Sequence, residues 1–585
     1  MEKSLWLPSI TMICLLLQAC SASVTEPPAE LIVLNGQVLT VDSEFSQAEA
    51  FAVRDGKFVA VGDNEDVNKF EGDQTRVIDA EGKTIVPGLI ETHVHATGAA
   101  RGETRQAFVQ LGSIGEIQEW LRTEVAKTPE GDWIQLPRVD VTRIQEGRIP
   151  NRAELDEAAP EHPAVFNWQY ANYQIQILNS AALKAAGITK NTPIPEGGAI
   201  PLGEDGEPTG RLENSGELIA RFLERSEASD EEYLQSLEQL LGRYNEVGIT
   251  SIFERGSNAA GYRDYVQLKE EDRLPVRATE TIRLDTDGTV DGTERAIAAL
   301  PFQHGDGDDR VRVGPLKVRM DGGILYGTAH MREPYGEQAI SFYGFDDPEH
   351  RGGAFFSEEE LTNIFHTAHR LGWQMSSHVT GDAGVDTVLD AIEAANDDLP
   401  DDDYRFTLIH AYFANQEAAE RAARLGVAVD TQPAWFYKDG DALADVLGID
   451  RLQKFIGVQE WRRAGVKVAL NSDHMQGSGP NTSLNPYNPF LTMYAAVSRR
   501  TENGQMIGPY QRVSREDALR MMTVDAAWLS FDETRKGSIE VGKLGDFAIL
   551  SDNLLTCDEE RIKDIRSELT VVGGEVVYNS SEEDN

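Results

Sequence analysis

The chain has 585 residues, 40% of them hydrophobic, enough for two or more domains with a substantial core. Its 98 acidic residues against 54 basic ones give a formal charge of −44, which repels polyanions and excludes nucleic acid and anionic membrane surfaces as partners. Arginine outnumbers lysine by 39 to 15, and with the acid excess this predicts a protein suited to salty water, a reading refuted if solubility and activity prove indifferent to salt.

The amino terminus, MEKSLWLPSITMICLLLQAC, places Lys3 ahead of an apolar run too short to span a bilayer, as in an export signal. LQAC resembles a bacterial lipobox. Cleavage before Cys20 predicts a lipoprotein signal peptide over residues 1–20, a lipidated Cys20 and a tether over residues 21–29, with the membrane touched only through that anchor. Ser21, in place of an aspartate, points to the periplasmic face of the outer membrane of a bacterial cell envelope. Cys14 leaves with the signal, so Cys557 remains as the single free thiol and no internal disulfide can form.

From residue 30, short alternating apolar runs with turns at Asn35-Gly36 and Asp55-Gly56 predict hairpins of a small antiparallel sheet. The far end repeats this grammar in GDFAILS and LTVVGGEVVYN, folded at Gly573-Gly574. Neither end holds enough strand for its own core, so residues 30–86 and 531–585 are predicted to join as one β-sandwich domain. Between them come eight candidate strands, at 89–95, 248–255, 276–284, 313–322, 372–379, 405–412, 426–433 and 466–473, separated by helices. Two helices carry capping boxes, Ser229 with Glu232 and Ser357 with Glu360. The α/β alternation predicts a (β/α)₈ TIM-like barrel over residues 87–530, and the long gap after its first strand an inserted lobe at about 105–240, in which AVFNWQYANYQIQI reads as a further strand.

The stretch THVHA spaces His93 and His95 two apart, so that on a strand both imidazoles face one side. With 11 histidines in the chain, such a pair arises readily by chance and carries little alone. It gains weight from position: His378, His410 and Asp473 close the fifth, sixth and eighth predicted strands, and Lys317 and Asp321 share a face of the fourth. In a barrel these ends converge on one mouth.

The order HxH, Lys, His, His, Asp on strands one, four, five, six and eight resembles the amidohydrolase superfamily of metal-dependent hydrolases. VPGLIETHVH, LKVRMDGG, SHVTGDAGVDTVLDAI, LIHAY, VALNSDH and GSIEVGKLGDFAIL are similar to its family 3 branch, which includes N-substituted formamide deformylases, over residues 30 to 580. The resemblance implies that His93 and His95 bind one divalent ion, zinc before manganese or iron. It further implies that Lys317, N6-carboxylated, bridges to a second ion held by His378 and His410, and that Asp473 binds metal and takes the proton of an activated water. The implied reaction is hydrolysis of an amide-like, non-peptide C–N bond in a small molecule. Hydrolysis of a lactone or other ester on the same site, and solute binding without turnover, are the alternatives; the oligomeric state is left open.

One departure concerns the lobe, where family members carry a histidine ahead of an NSAAL segment and this chain has NYQIQILNSAAL. Gln174, Tyr173 or Asn172 would then contact substrate. Asp321, and His330 and Arg332 in the loop over residues 322–335, are further candidates for substrate binding. His366 and His369, on an outer helix, lack the glutamate of HExxH and are not assigned a metal.

Overall fold

The computed structural model describes residues 27–170, 173–223, 228–345, 347–399 and 403–583; the signal, Cys20, most of the tether and Asn172 lie outside them. Eight parallel strands run round one sheet in chain order: β1 (Leu89–Val94), β2 (Ile249–Ser257), β3 (Arg277–Arg283), β4 (Val311–Arg319), β5 (Met375–Val379), β6 (Thr407–His410), β7 (Ala428–Thr431) and β8 (Val468–Leu470). The ring draws shut where Val94 bridges to His474 and His95 N–H donates to the His474 carbonyl at 2.7 Å. Glu91 clamps the same seam, one carboxylate oxygen accepting from the backbone N–H of both His93 and Ser472.

Every residue of β1, β5, β6, β7 and β8 is buried, because side chains fill the barrel on one face and helices cover the other. Polar members such as Glu91, Thr92, Ser376, Ser377 and Asp430 are buried along with the apolar ones, so these strands show no exposed-face alternation in the sequence. Both expected capping boxes form, opening the helices Asp230–Asn245 and Glu358–Arg370. A third, Asn151 with Glu154, opens Arg152–Ala158 in the lobe.

The two chain ends meet. Phe547–Leu550 lies antiparallel to Thr84–Pro87 within a six-stranded sheet that also holds Ser567–Val572, Glu575–Asn579, Gln37–Leu39 and Gln47–Ala48. A four-stranded sheet holds Leu31–Leu34, Ala50–Arg54, Lys57–Gly62 and Arg76–Asp79, and the Phe51 ring packs edge-on against Phe58 in its own sheet and Phe547 in the other. The Asp55-Gly56 turn is a hairpin with both central residues at positive φ, 51° and 71°. The Asn35-Gly36 turn is not: Leu31–Leu34 and Gln37–Leu39 go to different sheets, so it carries the chain across. Nor is the first sheet purely antiparallel, since Leu31–Leu34 pairs parallel with Arg76–Asp79.

In the lobe, the stretch expected to form one strand forms two, Ala164–Tyr170 and Tyr173–Leu178, paired antiparallel within a four-stranded sheet. A strap from the lobe crosses the barrel mouth. Thr142 Oγ1 donates to Asp439 at 2.7 Å and the Arg143 guanidinium meets both oxygens of the same carboxylate at 3.0 Å. Among the described residues no helix is long and apolar enough to cross a membrane.

Candidate metal centre

The alternation of side chains along β1 aims His93 and His95 at one point. The Nε2 atoms of both lie near a single oxygen, Asp473 Oδ1, at 3.3 and 3.4 Å. Asp473 stands three residues past β8 in a left-handed conformation, φ 51°, held by Asn485 Nδ2 on its carbonyl and by its own N–H on Asn471 Oδ1. A non-glycine residue there costs about 1–3 kcal/mol and persists only where the surroundings enforce it. Among the described residues, Asp473 Oδ1 is buried with no hydrogen-bond partner, and burial pushes its carboxyl above the usual range. A buried oxygen without a donor beside two imidazoles is a ligand set that fits a divalent cation.

Lys317, buried on β4, brings Nζ to 3.4 Å from His93 Nε2, and burial drives its amine toward the neutral form. His410 sits between the groups, its ring 5.4 Å from that of His93 and 4.5 Å from that of His378.

The proton positions on His378 and His410 follow from their partners. Asp430 is fully buried and accepts from Thr92 Oγ1, Arg255 and Asn471 Nδ2. Since Asn471 must give its amide NH₂ to that carboxylate, its Oδ1 faces Gln432 and accepts from Nε2 at 2.8 Å. Gln432 therefore turns Oε1 to His410 Nδ1, 2.8 Å away, which must donate. His410 carries its proton on Nδ1 and its lone pair on Nε2. On His378 the Nε2 proton goes to the Gly322 carbonyl at 3.0 Å, leaving Nδ1 unprotonated. These two nitrogens face each other at 2.9 Å. Burial pushes the His378 ring well below its ordinary pKa and that of His410 down to about 3, so an imidazolium bridge between them is disfavoured at neutral pH. Two lone pairs so opposed repel each other unless a cation lies against both. His410 has a positive φ of 81°, again a strained ligand position.

A cavity of about 540 Å³ opens onto these groups. His95 keeps 35% of its side chain exposed, whereas His93 keeps 1%, so His95 is the more accessible of the two imidazoles. Residues that sequence reasoning passed over also line it: Arg138 and Asp140 from the lobe strap, Tyr326, Tyr412 and Trp435. Tyr326 donates to Asp140 at 3.0 Å and is hydrogen-bonded by Arg138. The one local signal was the pair of charges set among buried Leu136, Val139 and Val141.

Several expected substrate contacts lie elsewhere. Gln174 bonds to Asn167 Oδ1 at 3.1 Å inside the lobe sheet, its side chain packed on Gly216, and is absent from the cavity lining. The Tyr173 side chain is outside the described set. Asp321 accepts from the backbone N–H of His330, Thr380 and Gly381, so its carboxylate is consumed in holding the loops after β4 and β5. His330 joins that framework, away from the cavity, and Arg332 points to Asp386 on another face. His369 stacks on Tyr404, and His474 is fixed by Tyr244 Oη and the Gly477 carbonyl, each at 2.7 Å.

Residues 76–578 match the Amidohydrolase family. The chain is 28% identical over 555 residues to N-substituted formamide deformylase of Arthrobacter pascens, covering 94% of this chain and 98% of that protein. It is 29% identical over 562 residues to Protein LONG AFTER FAR-RED 3 of Arabidopsis thaliana, covering 94% and 92%. In fold it resembles a metal-dependent hydrolase from Pyrococcus horikoshii, with a TM-score of 0.66, 19% identity and coverage of 91% and 99%.

Proposed function

The chain belongs to the amidohydrolase family, and from that premise we propose that it is a metal-dependent hydrolase cleaving an amide-like C–N bond, other than a peptide bond, in a small molecule. The observation that carries this reading is the buried Asp473 Oδ1, without a donor among the described residues and shared by His93 and His95. These three fit one divalent ion. His378 Nδ1 and His410 Nε2 fit a second, and Lys317, if carboxylated on its neutral amine, would supply an anion between the two. Imidazole and oxygen donors favour zinc.

A divalent ion held there supplies Lewis acidity, polarising a carbonyl and lowering the pKa of water to roughly 7. Asp473 is placed to take a proton and return it to a leaving nitrogen, its carboxylate lying beside both His93 and His95 at the cavity. Gln432 and the Gly322 carbonyl hold the rings of His410 and His378 in their ligating tautomers. Arg138 and Tyr326, on the roof of the cavity, are the groups set to orient a substrate carbonyl, the task Gln174 is too remote to perform. The same arrangement serves a lactone or ester, and the identity to a formamide deformylase favours the amide.

We further read the two sheets at the chain ends as one β-sandwich domain, and the protein as an envelope lipoprotein anchored through Cys20. The test of function uses the metal-loaded soluble form beginning after residue 20 on a panel of N-formyl and N-acyl compounds, lactones and esters. In Asp473→Asn, bound metal should persist while turnover falls about 10²- to 10⁴-fold. A wild-type protein that retains no divalent ion, or hydrolyses nothing on the panel, refutes the hydrolase reading and leaves solute binding.

A further inference from the structure

On a chain with a formal charge of −44, one wall of the barrel mouth has the opposite sign. Beside the metal-site cavity lies a second hollow of about 1400 Å³, and the two share His95, Lys317 and Arg319. Arg283 ends β3, Arg319 ends β4, and Arg255 lies at the base of the hollow; Asp285 is the one carboxylate among its described lining residues. Arg255 is engaged by Asp430 and the Thr92 carbonyl, so it adds field rather than contact. Arg283 meets Asp285 at 2.7 Å, but both side chains are at least 70% exposed, and so open an ion pair is weak and easily shared with a ligand. Phe355 and Phe356 line the same hollow. Phe355 is 44% exposed, unusual for so large an apolar ring, and its N–H donates to the Met320 carbonyl at 2.7 Å, fixing it beside the end of β4.

A guanidinium pair next to exposed aromatic surface is complementary to a planar anion on an apolar body. We infer that this hollow is a substrate subsite, and that the substrate is an amide bearing a carboxylate on an apolar or aromatic body. The carboxylate lies between Arg283 and Arg319, the apolar body lies on Phe355 and Phe356, and the scissile bond reaches past His95 to Asp473. The location of the scissile bond rests on the hydrolase reading; the anion subsite itself does not.

The experiment compares N-formylphenylalanine, as each enantiomer, with N-formylphenethylamine, which differs only in lacking the carboxylate. At least one enantiomer should be preferred tenfold or more in kcat/KM. Arg319→Gln and Arg283→Gln should erase that preference through KM, with the loss on the acid at least tenfold greater than any change on the phenethylamine. Arg319→Lys should restore part of it. Equal rates on acid and phenethylamine in the wild type, or an equal loss on both in the variants, overturns the inference while leaving the hydrolase reading intact. Calorimetric titration with 3-phenylpropionate reads the subsite without turnover: binding that the double glutamine variant loses supports it, and no binding to the wild type overturns it.

Discussion

Gln432→Met tests whether His410 is held in its ligating tautomer by an amide remote from the reaction. Methionine matches glutamine in length and volume but removes the oxygen that accepts from His410 Nδ1 and the NH₂ that donates to Asn471 Oδ1. Two buried groups lose a partner, each at about 1–3 kcal/mol. The Tyr412 hydroxyl, 3.2 Å from His410 Nδ1, offsets part of the first loss, and the Asp473 N–H, which also donates to Asn471 Oδ1, part of the second. Once the Nδ1 proton is no longer held, a fraction of the rings carry it on Nε2, where it blocks the metal. Loss of such a supporting hydrogen bond typically costs 10–100-fold in metal affinity, about 1.4–2.7 kcal/mol. The assay is competition of the metal-free protein against a chromophoric chelator for zinc, with stability measured in urea. Gln374→Met is the control: it too is buried and removes two 2.9 Å hydrogen bonds, to the carbonyls of Arg405 and Leu529, but ahead of β5 and away from the metal site. Both variants should lose stability, and only Gln432→Met should lose affinity. Equal affinity in the two would refute the tautomer argument.

Other outcomes follow from the same interactions. Asp546 joins the carboxyl-terminal segment to β3 through a two-pronged pair with Arg277 at 2.7 and 2.9 Å, so Asp546→Asn should cost about 3–5 kcal/mol in urea unfolding at pH 7. Burial pushes the Asp546 carboxyl up, but Arg277 and the Gly573 N–H outweigh it and hold the pKa below the ordinary 3.8. A depressed folded pKa contributes stability that is fully present above 3.8 and is lost as pH falls through the folded value, so the gap between wild type and variant should narrow under acid; a gap constant with pH would sink the assignment. Cys20→Ser should abolish incorporation of labelled lipid in the full chain and release the protein from washed membranes, whereas unchanged fractionation would show that no anchor exists at that thiol.

The barrel was legible because its strands are buried on both faces, which removes the regular polar alternation of a half-exposed sheet, and because side chains at strand ends emerge at the mouth. His378, His410 and Asp473 stood out by that rule, and His93 by its spacing from His95. Turn chemistry was less informative about partners. Asn35-Gly36 and Asp55-Gly56 have the same local character, yet one closes a hairpin and the other crosses between sheets, since the choice depends on which distant strand is available to pair. The lobe misled for a related reason. Gln174 was expected to contact substrate, but its side chain turns to Asn167 in the adjacent strand. Arg138 and Asp140 reach the cavity because Arg143 is tied to Asp439, a pairing across 296 residues that leaves no periodicity to read.

The amides behind the site expose a deeper omission. Asp430, Gln432 and Asn471 end β7 and β8 with buried polar atoms, as Asp473 does, and were visible by the same rule. Gln432 and Asn471 neither bind metal nor titrate, yet an amide has one donor end and one acceptor end, so a carboxylate at the head of the chain fixes every orientation down to the histidine. The Asp430 carboxylate thereby sets which His410 nitrogen carries the proton, with no contact between the two residues required. A polar residue at a buried strand end should therefore be judged by the orientation it imposes on its neighbours as well as by the chemistry it can perform itself.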